Sequence, residues 1–128
     1  MNTKTLIATL CLGLSLLGAS NLAHADDKIT LGRTILLGKS NHGAEIPLLV
    51  CRRVDAIRVK ADRDLRLERV KVTFKNGDTK TINFYRALDK NKQTDWRKFA
   101  YTRCVKHIEV FGKADNSSAG VRVYGRQK

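Results

Sequence analysis

In the segment DAIRVKAD, residues 55–62, apolar Ile57, Val59 and Ala61 alternate with charged Arg58, Lys60 and Asp62. A period of two sends the first set to one face of a β-strand and the second to the other. A helix would need the apolar positions every three or four residues. The pattern continues through LRLERVKVTF with Leu65 and Leu67, then slips by one so that Val70, Val72 and Phe74 share the inner face. One slip in a two-residue period marks a bulge or bend near Glu68–Arg69. KNGD follows, and TINF places Ile82 and Phe84 inward on a return strand. Asn-Gly between alternating runs is the strongest short hairpin signal.

Other segments extend the pattern. KITLGRTILLG reads as a strand, SNHGAEIP as a loop with the lone proline Pro47, and LLVC as a run into the core. HIEVFG and GVRVYG place Ile108, Val110, Val121 and Val123 inward, with a polar turn between them. DWRKFAY reads as a further short strand. The expected fold is all-β: an antiparallel, jelly-roll-like β-sandwich of about seven to eight strands.

The N-terminus, MNTKTLIATLCLGLSLLGASNLAHADD, has a basic Lys4, an apolar run from Leu6 to Gly18 and a small-x-small site at Ala23-His24-Ala25. This reads as a signal peptide over residues 1–25, leaving a single domain over residues 26–128. The run is shorter than the roughly 20 residues a membrane span requires, so no transmembrane anchor is expected. The expected location is the periplasm.

Cys51 and Cys104 remain after the leader is removed. An even count in an exported chain implies a disulfide. There is no C-x-x-C pair, and structural zinc needs about four ligands at recognisable spacing. His107 lies three residues from Cys104, on the opposite face of a strand, so the two do not converge. No metal and no cofactor are expected. No catalytic residue stands out: Asp62 and Asp64 flank Arg63 in an expected turn, and nucleophile-elbow and phosphate-loop motifs are absent.

The full chain carries +13, and the expected mature chain +12, since Lys4 is the only charge in the leader. Such a balance favours anionic partners. Arg58, Lys60, Arg66, Lys71 and Lys75 fall on outward positions of consecutive strands, and Arg122, Tyr124 and Arg126 alternate outward near the C-terminus. If those strands are neighbours the charges merge into an anion-binding patch. If they are not, the charges are solvated surface. Trp96, between Asp95 and Arg97, suits stacking on a sugar, as Tyr124 does, or else plugs one end of the core.

VCR at 50–52, TDW at 94–96, RCV at 103–105 and NSS at 116–118 give the chain a resemblance to the YaaI-like family of small exported bacterial proteins, a domain of unknown function. The resemblance runs best from Val50 to Gly125. It implies a periplasmic protein that keeps both cysteines, and it carries no activity from which catalytic residues could be transferred. The strand pattern is also similar to jelly-roll modules of secreted binding proteins, a likeness of fold alone.

The expected function is a non-enzymatic binding module for lipopolysaccharide or an acidic glycan. A protein-interaction or stress/inhibitor factor is the alternative, and a small hydrolase ranks behind both. Nucleic acid ranks low, since no nucleic-acid fold signature is present.

Overall fold

The computed structural model describes residues 28–39 and 43–127. The expected signal peptide lies outside them, as does His42 in the expected loop before Pro47. Six strands form: β1 (Lys28–Leu37), β2 (Ala44–Ala61), β3 (Leu65–Phe74), β4 (Thr79–Leu88), β5 (Arg97–Ala114) and β6 (Ser118–Arg126). They make one antiparallel sheet in the order β1-β6-β2-β5-β3-β4. Among the described residues there is no helix, and so none long and apolar enough to cross a membrane.

The all-β expectation is met, but the strands are fewer and longer than expected. β2 and β5 each run for 18 residues. Each continues through irregular stretches where alternation lapses and a break was expected. Ala44–Pro47, expected in a loop, pairs with Val110–His107 of β5. A strand of this length would span about 60 Å if straight, so it must bend. β2 bends by changing partners: residues 44–57 pair with β5, and residues 56–61 pair with β6. A separate second sheet is not present among the described residues. Instead the single sheet curls. β1 packs against β2 and β5 without hydrogen-bonding to either.

The curled sheet has one inner face. Ile57, Val59, Leu65, Leu67, Val70, Val72, Val105, Ile108, Val110, Val121 and Val123 are buried in one cluster. Burying such aliphatic side chains stabilises the fold by about 1.5–3 kcal/mol each. Ile82, Phe84 and Phe74 join the same cluster, as the alternation requires. The slip at Glu68 is a bulge: the register shifts between Leu67 and Arg69 against both β4 and β5.

The β3–β4 connection is the expected hairpin. Gly77 donates to the Phe74 carbonyl at 2.9 Å, and Phe74 donates to the Asp78 carbonyl at 2.8 Å. Gly77 has φ +94°, while Asn76 is not among the positive-φ residues. The loop is therefore of the three-residue kind, a turn closed by a left-handed glycine, rather than the two-residue kind in which both central residues are left-handed.

Cys51 and Cys104 are joined in a disulfide with Cα atoms 5.3 Å apart. It staples a wide bulge in β2. Pro47 pairs with His107 and Arg52 with Val105, so residues 48–51 face only Lys106 on β5. Four residues opposite one cannot alternate in and out. Leu49 and Val50, expected to run into the core, are 101% and 74% exposed. Only Leu48 of the run packs against the core.

Candidate functional site: a cationic face on β1, β6 and β2

The sheet order puts three stretches that are distant in sequence side by side. Arg122 on β6 is the direct cross-strand partner of Arg33 on β1 and of Lys60 on β2. Two residues along β6, Tyr124 lies between Thr30 and Arg58. At the end of the strand, Arg126 lies between Lys28 and Ala56. Residues two apart on a strand share a face, so these rows line one outer surface. Three neighbouring strands span about 10 Å.

Aromatic rings hold the cations. The Arg58 guanidinium is 4.6 Å from the Trp96 ring centroid, and that of Arg126 is 5.6 Å from it. The Lys28 ammonium sits 4.5 Å from the Tyr124 ring. Tyr124 is only 8% exposed. Trp96 is half-buried, neither a core plug nor a bare platform. The expected stacking residues thus serve the chain's own cations.

Residues 89–96 flank β2 and lock Arg58 in place. The Arg58 Nε donates to the Thr94 carbonyl at 3.0 Å. Buried Thr94 accepts from the Val59 N–H at 3.1 Å and donates to the Asp95 carbonyl at 2.9 Å. Lys60 forms an isolated bridge with Gln93. Next to Trp96, the Asp95 carboxyl is held below its ordinary pKa. Desolvation pushes it up, but the Arg97 hydrogen bond, a backbone hydrogen bond and the charges of Arg97 and Arg86 outweigh that push.

Acidic side chains offset this charge in part. Arg126 donates to both oxygens of Asp55, at 3.0 and 3.2 Å. Asp62 lies 3.7 Å from the Arg122 Nε, which is an ion contact too long to be a hydrogen bond. That Nε is buried and has no hydrogen-bond partner among the described residues. On Asp62 opens a cleft of about 610 Å³, lined also by Arg33, Arg63 and Ser118.

Of the residues expected to bind an anion, Arg58, Lys60 and Arg122 are brought together, with Trp96 and Tyr124. Arg66, Lys71 and Lys75 are not. They lie on β3 and in its hairpin turn, and β5 separates β3 from β2. Lys71 is there paired with Glu109, which faces Glu45 on β2, so the charges on that side are mixed. Arg33 and Lys28 are the additions. Outward alternation in β1 could have flagged them, but a register shift between Thr30 and Gly32 breaks its phase.

Among the described residues no three His, Cys, Asp or Glu side chains come together as metal ligands. Cys104 is committed to the disulfide, and the His107 Nε2 lies 3.6 Å from a Glu45 carboxyl oxygen. Guanidinium and ammonium groups thus outnumber the acids Asp55 and Asp62 on this surface.

Neither the curated proteins nor the solved structures yield a match to this chain. A family model does match, over residues 7–125. The chain belongs to the family described as domain of unknown function DUF2541.

Proposed function

We propose that the protein is an exported, non-enzymatic binding module for an anionic component of the bacterial envelope, either lipopolysaccharide headgroups or an acidic glycan. The observation that carries this reading is the row Arg33–Arg122–Lys60. Like charges placed directly across a sheet cost stability, about 0.2–1 kcal/mol per pair. A bound polyanion would remove that cost by setting its phosphates or carboxylates as counter-charges against the row. Beside the row, the Trp96 and Tyr124 rings hold Arg58, Arg126 and Lys28 in place before binding, which lowers the ordering cost of association.

Kinship with the YaaI-like proteins and residence in the periplasm form part of the same reading. The leader supports them, and the family match begins at residue 7, inside the apolar run. A hydrolase finds no support in the acids of this face, since Asp55 and Asp62 each lie against an arginine. The interaction-factor reading draws on a different feature, the exposed pair Leu49 and Val50.

The test is a titration of the leaderless chain with lipopolysaccharide, and separately with a lipid-free acidic glycan, at several salt concentrations. Micromolar affinity is expected, on the order of −8 kcal/mol. It should weaken steeply as salt shortens the Debye length from about 10 Å at 0.1 M. Absence of binding to both polymers at low salt would overturn the proposal.

A further inference from the structure

The disulfide end of the molecule carries a second surface, distinct from the cationic face. The β2 bulge exposes Leu49 completely and Val50 largely. Aliphatic side chains this bare are common singly, but adjacent ones at the tip of a stapled bulge need an account. The base of the tip is rigid. Leu48 packs on the core, and Cys51 is bonded to Cys104. The tip therefore points outward by construction and does not fold back onto the sheet.

Cations surround it. Arg52 and Arg53 follow the tip in sequence, and both are exposed. Lys106, the residue on β5 opposite the bulge, is exposed as well. Lys75 is exposed and donates its backbone N–H to the Cys104 carbonyl at 2.9 Å, which brings the β3–β4 turn to the same end. Asp78 in that turn is held by Arg103 at 3.1 Å. Exposed Tyr101 lies beneath the Arg103 guanidinium, 5.0 Å from it.

We propose that this end docks on an anionic lipid bilayer, with Leu49 and Val50 entering the acyl boundary and the surrounding arginines and lysines meeting the headgroups. The tip offers two bare aliphatic side chains. A protein partner of ordinary affinity would need about 800 Å² of contact on each side, far more than two aliphatic residues supply. An apolar point within a basic collar fits the boundary between headgroups and acyl chains, where apolar burial and attraction to anionic lipid add. Tyr101 has the amphipathic ring that such a boundary favours. This surface does not depend on the Arg33–Arg122–Lys60 row, and either could fail alone.

The experiment is co-sedimentation of the leaderless, oxidised chain with vesicles of phosphatidylcholine and with vesicles of phosphatidylcholine mixed with phosphatidylglycerol. The variants are Leu49→Ser/Val50→Ser and Arg52→Gln/Arg53→Gln. Wild type is expected on the anionic vesicles, and each double variant is expected to lose about tenfold or more in partitioning, because each removes one of the two contributions. Binding of the lipid-free acidic glycan should be unchanged by Leu49→Ser/Val50→Ser, which separates this surface from the cationic face. All four side chains are exposed, which keeps the variants clear of the core, and a thermal melt checks it. If the Leu49→Ser/Val50→Ser chain partitions like wild type, or wild type stays off the anionic vesicles, the proposal is overturned. It is equally overturned if these variants abolish a dimer seen by light scattering while vesicle binding is absent, since the tip would then contact a second copy of the chain.

Discussion

Arg122 on β6 stands directly across from Arg33 on β1, and no acid lies between them in the cross-strand row. The ion contact available to Arg122 is Asp62, at 3.7 Å from its Nε. A sheet built for stability alone would place an acid or a neutral side chain at one of these positions. Arg33→Gln should therefore raise stability by about 0.2–1 kcal/mol. At about 4–8 °C per kcal/mol for a domain of this size, that is a small but measurable rise in Tm. The same change should weaken polyanion binding. A melting temperature that falls would contradict the like-charge reading of this pair.

Two glycines test different constraints. Gly77 has φ +94°, and nothing lies within 4 Å of where its Cβ would be. Its constraint is conformational, so Gly77→Val should cost about 1–3 kcal/mol and Gly77→Asn much less. Gly112 has no such φ, but its Cβ would collide with the Arg66 backbone carbonyl. A backbone atom cannot step aside cheaply, so even Gly112→Ala should be costly, about 1–3 kcal/mol. Chemical denaturation of the three variants decides it. Equal losses for Gly77→Val and Gly77→Asn would contradict the turn assignment.

Alternation made the inner face legible: Ile57, Val59, Val70, Val72, Ile82, Ile108, Val121 and Val123 are all buried. Asn-Gly announced its hairpin, and the cysteine count announced the disulfide. What alternation cannot reveal is where a strand continues through a bulge. Leu48–Cys51 looks like core because it is apolar, yet it bulges because four residues face one. Strand neighbours were hidden too. Arg58 and Lys71 are on strands consecutive in sequence, but β5 comes between them. The partners of Lys60 and Arg122 lie far along the chain, in β6 and β1, and long-range pairing is set by the closed core, not by any local pattern.

The Cys51–Cys104 bond closes a loop with a sequence separation of 53. Loop-closure entropy gives it about 4 kcal/mol in the chain-entropy account. Denatured, unreduced protein should show no free thiol to a thiol reagent. Cys51→Ala/Cys104→Ala should lose a comparable amount of stability, read from denaturant unfolding. Full retention of stability would mean that β2 and β5 hold their register without the staple.

Asp95 gives a pH dependence with a definite sign. Desolvation, the largest single influence, raises its pKa, and the Arg97 hydrogen bonds at 3.1 and 3.2 Å, a backbone hydrogen bond and the nearby guanidinium charges together lower it further than that. The folded value lies below the unfolded one. The stabilisation is therefore complete above the unfolded carboxyl range, about pH 4, and is lost as pH falls through the folded value. The carboxyl is 62% exposed, so solvent screening keeps the effect below about 1 kcal/mol. Asp95→Asn should lower Tm a little at neutral pH and not at all in strong acid. A difference that is the same at every pH would place the effect of Asp95 outside its charge.

Charge reversal on the two sides of the sheet, read by binding, addresses the cationic face most directly. Arg33→Glu/Lys60→Glu/Arg122→Glu reverses the row on β1, β6 and β2. Arg66→Glu/Lys71→Glu/Lys75→Glu reverses the same number of charges on β3 and its turn. Both carry the same net charge, so long-range attraction falls equally in each. Affinity for a lipid-free acidic glycan, titrated at fixed low salt, should be lost in the first variant and fall only modestly in the second. Equal losses in the two variants would mean that net charge alone governs binding and that the row is not a site.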